Sequence, residues 1–125
     1  MPEITRIMEI SVEEAGDYIF TPAGVLITYR TGQFRVFSES ARHNFLRRVV
    51  SRHPWDELLS DAVVERGASV RLRDVTAEID EKIGPDELST EAVLELCYRT
   101  NPRQLFFLRR YFEANSPSQT SMPPS

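Results

Sequence analysis

Residues 38–67 read SESARHNFLRRVVSRHPWDELLSDAVVERG, and the spacing of their apolar positions decides the fold class. Ser38 ends a run of alternating residues and is suited to cap a helix, its hydroxyl accepting from a free N–H of the first turn. Glu39 follows where negative charge favours a helix N-terminus. Ala41, Phe45, Leu46, Val49 and Val50 fall at helical spacing,. Asn44, Arg47, Arg48 and Ser51 turn away from that stripe, whereas Arg42 and His53 fall on or near it. Pro54 disfavours a helical conformation at His53, so the first helix is expected to stop near Arg52. Pro54 then opens a second helix, where its missing N–H costs nothing. Trp55, Leu58, Leu59, Ala62 and Val63 make the second stripe, opposite Asp56, Glu57, Ser60, Asp61 and Glu65. Arg66 and Gly67 read as the C-terminal stop.

Upstream the period changes to two. Ile4 to Val12 alternates in part and is expected to form a first strand. Tyr18 to Phe20 begins a second. Thr21-Pro22-Ala23-Gly24 places proline and glycine where a type I turn prefers them. Val25 to Arg30 is a further strand. Thr31-Gly32 is a short hairpin connection, and Gln33 to Ser38 returns. A sheet of this kind has an apolar face that needs cover, and the helix pair of 38–67 supplies it.

Downstream, Val70 and Leu72 alternate with Arg71 and Arg73, as in a strand that rejoins the sheet. Asp74 can open a short helix carrying Val75, Ile79 and Ile83, closed by Gly84; continuing the strand to Ile79 is the rival reading. Pro85 to Ser89 connects. A helix from Thr90 to about Arg99 directs Ala92, Val93, Leu96 and Cys97 inward. Asn101 and Pro102 are expected to open a last helix, with Gln104 completing a capping box. On that helix Leu105, Phe107, Leu108, Tyr111 and Phe112 share a wide arc, and Phe106 falls opposite with Arg103, Arg109 and Arg110. The fold expected is α+β: an N-terminal antiparallel β-meander covered by a helix pair, then a returning strand and a C-terminal helical hairpin. Residues 1–114 form one domain, and the Ser/Pro-rich stretch 115–125 reads as a disordered tail.

Composition bounds the function. The chain has 125 residues, a net charge of −4 and one cysteine. That charge argues against coating nucleic acid by bulk electrostatics. The apolar runs are too short to span a membrane, and the N-terminus lacks a secretory pattern, so a cytoplasmic protein is expected. Cys97 alone cannot form an internal disulfide or a cysteine-rich metal site. His43 and His53 have no metal-ligand spacing. The acidic pairs Glu13-Glu14, Asp56-Glu57, Asp80-Glu81 and Asp86-Glu87 suit first turns and solvated faces rather than a catalytic dyad. There is no glycine-rich phosphate loop and no nucleophile elbow. No catalytic residue, metal or cofactor is therefore assigned.

Charge is nevertheless unevenly distributed. Residues 30–53 hold six arginines and one acid, and residues 56–95 hold twelve acids against four basic residues. An aromatic among arginines, where it is exposed, has the composition of a protein-interface anchor; the rival reading has Phe106 covered by the sheet or the N-terminal segment. Phe106, Arg103, Arg109 and Arg110 are thus the first candidates for a partner-binding site, followed by Arg47, Arg48 and Arg52. The leading expectation is a non-catalytic binding or regulatory module acting through a protein partner, which could be a second copy. The alternative is nucleic-acid binding through a helix-turn-helix-like pair at 90–113, with Arg103 and Gln104 near bases, and through the Arg-rich helix at 38–52. A third class is an enzyme whose site joins Arg42, His53 and an acidic residue.

Overall fold

The computed structural model describes residues 3–14, 16 and 18–114. The proposed tail at 115–125 lies outside the described residues. Five strands form one antiparallel sheet: β1 (Ile4–Glu14), β2 (Thr21–Tyr29), β3 (Phe34–Ser38), β4 (Val63–Glu65) and β5 (Ala68–Asp74). Their spatial order is β3-β2-β1-β5-β4, so the N-terminal meander lies on one side of β1 and the returning hairpin on the other. The helices are α1 (Ser40–His43), α2 (Leu46–Arg52), α3 (Trp55–Ser60), α4 (Thr76–Ile83), α5 (Thr90–Thr100) and α6 (Arg109–Ala114). The α+β class expected from the sequence is the class observed. Among the described residues no helix is long and apolar enough to cross a membrane.

Both faces of the sheet are covered. Strand alternation sends Met8, Ile10 and Val12 to the first face, with Leu26, Val36, Ala68, Val70 and Leu72, where Leu46, Val49 and Val50 of α2 and Leu58 of α3 pack on them. Ile7, Val25, Ile27, Tyr29 and Phe37 point the other way and meet Ile79 of α4, Val93 and Leu94 of α5, and Leu105, Phe107 and Leu108. The helix pair covers only the first face, and the C-terminal helices cover the second. Polar ties fix the second layer. The Ile7 amide donates to Thr76 Oγ1 at 2.9 Å, and the Val75 amide donates to the Ile7 carbonyl at 3.0 Å. The Tyr29 hydroxyl lies 2.8 Å from Thr90 Oγ1.

Several boundaries depart from the sequence reading, and the one helix expected up to Arg52 is broken at Asn44–Phe45 into α1 and α2. Thr21-Pro22-Ala23-Gly24 is strand rather than turn. Pro22 lies at a register shift opposite Ser11, where a missing donor costs little. Gly24 is required because a Cβ there would lie 2.7 Å from the Phe37 carbonyl oxygen. The second helix stops at Ser60, and Val63 to Glu65 form an edge strand. Arg66 (φ 54°) and Gly67 (φ 79°) turn its hairpin rather than capping a helix. Finally, Ser38 caps nothing: Glu39 is the N-cap of α1, and the Ser38 hydroxyl donates to the His43 carbonyl at 3.4 Å.

Candidate protein-binding surface

The site begins with the way the chain leaves α5. The Asn101 amide closes on the Cys97 carbonyl at 3.1 Å, and Asn101 leaves the helical conformation (φ −134°, ψ 66°). Turns follow, then a 3-10 turn at Phe106–Leu108, with the Leu108 amide bonded to the Leu105 carbonyl at 2.9 Å. Asn101 and Pro102 therefore do not open a long helix; regular α-helix resumes at Arg109. Burial explains the winding. Leu105, Phe107 and Leu108 all enter the second core, and a three-residue turn eclipses positions 105 and 108. Phe106 is left pointing outward, 55% exposed. Its ring meets the Phe107 ring edge-on, 6.1 Å between centroids.

Phe106 is a wall between two depressions. On one side a polar cavity of about 210 Å3 is lined by Arg103 and Gln104, by Glu39, Arg42 and His43 around α1, and by Glu14, Thr21 and Pro22 at the sheet end. On the other a wide, shallow depression of about 590 Å3 is lined by Glu39, Ala41, Phe107, Arg109, Arg110 and Glu113. The short α1 thus reaches the C-terminal turns because β3 delivers it to this end of the sheet.

The charges are partly engaged. Arg42 Nη2 lies 3.4 Å from Glu14 Oε1, with His43 Nε2 at 4.0 Å from the same oxygen. Arg109 Nε pairs with Glu113 at 2.6 Å. The Arg110 guanidinium lies over the Tyr111 ring, 4.9 Å from its centroid, and donates to the Tyr111 hydroxyl at 3.0 Å. Arg103 makes no ion pair among the described residues. Burial lowers the His43 pKa from its ordinary 6.5; Arg42 adds to this, and Glu14 and Glu39 oppose it.

Of the seven residues singled out in the sequence, the structure brings together Phe106, Arg103, Arg109 and Arg110. Arg47, Arg48 and Arg52 are elsewhere, on the outer side of α2, which covers the first face of the sheet. Arg52 reaches Glu65 at 3.6 Å, while Arg47 and Arg48 make no ion pair among the described residues. Arg42 joins the Phe106 group, and its break in the apolar stripe was the signal for it. Glu14, Glu39 and Thr21 carried no such signal, since only tertiary folding brings them to α1 and the C-terminal turns. Arg42 and His53, joined in the enzyme reading, line different depressions; His53 sits 3.8 Å from Glu57 beside Trp55. Burial pushes the Cys97 thiol up to about 12, with Glu9 adding to the shift, so it is protonated and a poor nucleophile. Compared with known proteins, the chain matches no family model, no curated protein and no solved structure.

Proposed function

We propose that this chain is a small, non-catalytic intracellular binding module that acts through a protein partner docked over Phe106. One observation carries the reading: a phenylalanine more than half exposed, held on a 3-10 turn whose neighbours are buried, between two depressions edged by Arg42, Arg103, Arg109 and Arg110. Aromatic and arginine residues are enriched where protein interfaces concentrate their binding energy, and lysines are depleted. The turn limits the conformational freedom that docking would otherwise have to remove. Arginine adds stacking and bidentate contacts around such an anchor. The test is Phe106→Ala against wild type, immobilised at equal loading, with partner affinity measured for each. Loss of about 2 kcal/mol or more with unchanged thermal unfolding supports the reading, and unchanged affinity contradicts it.

Nucleic-acid binding is the second reading, favoured by the absence of an ion pair at Arg47, Arg48 and Arg103 among the described residues. It requires affinity that falls steeply with salt. Anisotropy of labelled duplex and single-stranded DNA and RNA at low and near-physiological salt separates the two. Under the protein-partner reading neither form binds in a salt-steep manner. Sub-micromolar, salt-steep binding lost on alanine substitution of Arg103, Arg109 and Arg110 would reverse the order.

A further inference from the structure

The sheet has two edges, and they differ. β3 is flanked by α2 and by the 3-10 turn at Phe106–Leu108. β4 pairs only with β5 in the sheet, and Val64 at its centre is 70% exposed. The two-residue turn Arg66–Gly67 sets the hydrogen-bond phase of this hairpin. Glu65 opposes Ala68 and Val63 opposes Val70, so these residues direct their N–H and C=O toward β5. Those of Val64 face outward. Residues 62–64 read Ala-Val-Val, without the lysine or proline that protects an edge.

We propose that β4 pairs antiparallel with β4 of a second copy, about a two-fold axis through Val64, joining two five-stranded sheets into one. Three observations select this occupant and this register. First, a two-fold axis at Val64 lets its N–H and C=O bond reciprocally with the same groups of the other copy, as an isologous contact requires. A register centred one residue away, on Val63, would need the Ala62 amide, which already donates to Asp61 Oδ1 at 2.8 Å. Second, the Val64 register brings Asp61 of one copy beside the Arg66–Gly67 turn of the other. Asp61 and Arg66 are exposed, opposite in charge and in no ion pair among the described residues, and symmetry makes the match twice. Third, Val64 is an exposed apolar side chain on the second face of the sheet, and an axis through it sets the two copies' Val64 side chains directly opposite each other,. It stands level with Ser69, next to Arg71, whose guanidinium stacks 4.0 Å from the Phe20 ring centroid. The brevity of β4 limits the ladder to a few bonds, so the association is weak and concentration-dependent.

The experiment is sedimentation equilibrium of the full chain over a wide concentration range. The expected result is a reversible monomer–dimer equilibrium. Val64→Lys, which sets two like charges at the axis, raises the dissociation constant about tenfold or more. Asp61→Arg and Arg66→Asp each weaken the dimer, the double exchange restores it, and Phe106→Ala leaves it unchanged. Far-UV circular dichroism checks that each variant folds. If Val64→Lys does not fold, the charge exchange at the two exposed positions decides. A chain that stays monomeric at every concentration overturns the proposal, as does a dimer that the single charge reversals leave intact.

Discussion

His43 shows how a single residue couples the candidate surface to pH. Its folded pKa lies below the ordinary 6.5 because burial disfavours the imidazolium,. The unfolded chain therefore takes up the proton first. The contribution is fully present above about 6.5 and is lost as pH falls through the folded value. Between pH ~7 and ~5 the wild type is expected to lose more stability than His43→Gln, read from urea unfolding at each pH; parallel curves would show that His43 titrates as it does in the unfolded chain. Gly24 makes a different point. Its Cβ position is blocked at 2.7 Å by the Phe37 carbonyl on the neighbouring strand. Gly24→Ala is expected to cost about 1–3 kcal/mol, measured by chemical denaturation, although the backbone there is ordinary strand. At this scale the sequence places Phe106 opposite the arc of Leu105, Phe107 and Leu108, but whether another element covers it is decided only by the fold, which leaves it 55% exposed. The gathering of Glu14, Glu39 and Arg42 around it could not be read from the sequence, because those residues meet only after β3 and the C-terminal turns are placed.

At the scale of elements, hydrophobic period identified β1, β3, β5, α4 and α5, and failed where turn residues serve another purpose. Pro22 and Gly24 look like a turn in isolation, yet they occupy a register shift and a close strand approach. Ala62 and Val63 continue the helical stripe of Trp55, Leu58 and Leu59, yet they lie at an edge strand, because a left-handed Arg66-Gly67 pair turns a hairpin as readily as it ends a helix. The last helix is shorter than its spacing predicts for a third reason: closely spaced demands for burial at Leu105, Phe107 and Leu108 tighten the winding before Arg109. The start of α5 is better determined. Ser89 Oγ accepts from the Ala92 amide at 3.1 Å, and Ser89→Ala is expected to destabilise the protein by about 1 kcal/mol, while Ser38→Ala, at the cap predicted but not formed, should cost less. Equal losses in a thermal unfolding comparison would contradict this assignment of the caps.

Across the whole molecule, one sheet separates two cores. Leu58 is buried in the first and Leu108 in the second, both fully. Because every strand of the meander contributes to both cores, opening one face exposes the back of the other. Leu58→Ala and Leu108→Ala are each expected to cost about 2–5 kcal/mol and to shift a single transition in which far-UV and near-UV signals coincide; separated transitions would mean that the two layers unfold independently. The same layering sets the geometry of the candidate surface. The C-terminal layer presents Phe106 at one end of the sheet, and Arg47, Arg48 and Arg52 belong to the opposite layer, so one flat partner surface does not meet both sets. The most direct test of the Phe106 surface is photocrosslinking in cells with benzoylphenylalanine at position 106 and, as control, at position 48. Docking over Phe106 predicts a discrete protein adduct from position 106, absent from position 48 and lost when Arg103 and Arg110 are replaced by alanine. An adduct to nucleic acid, or the same adducts from both positions, would contradict it.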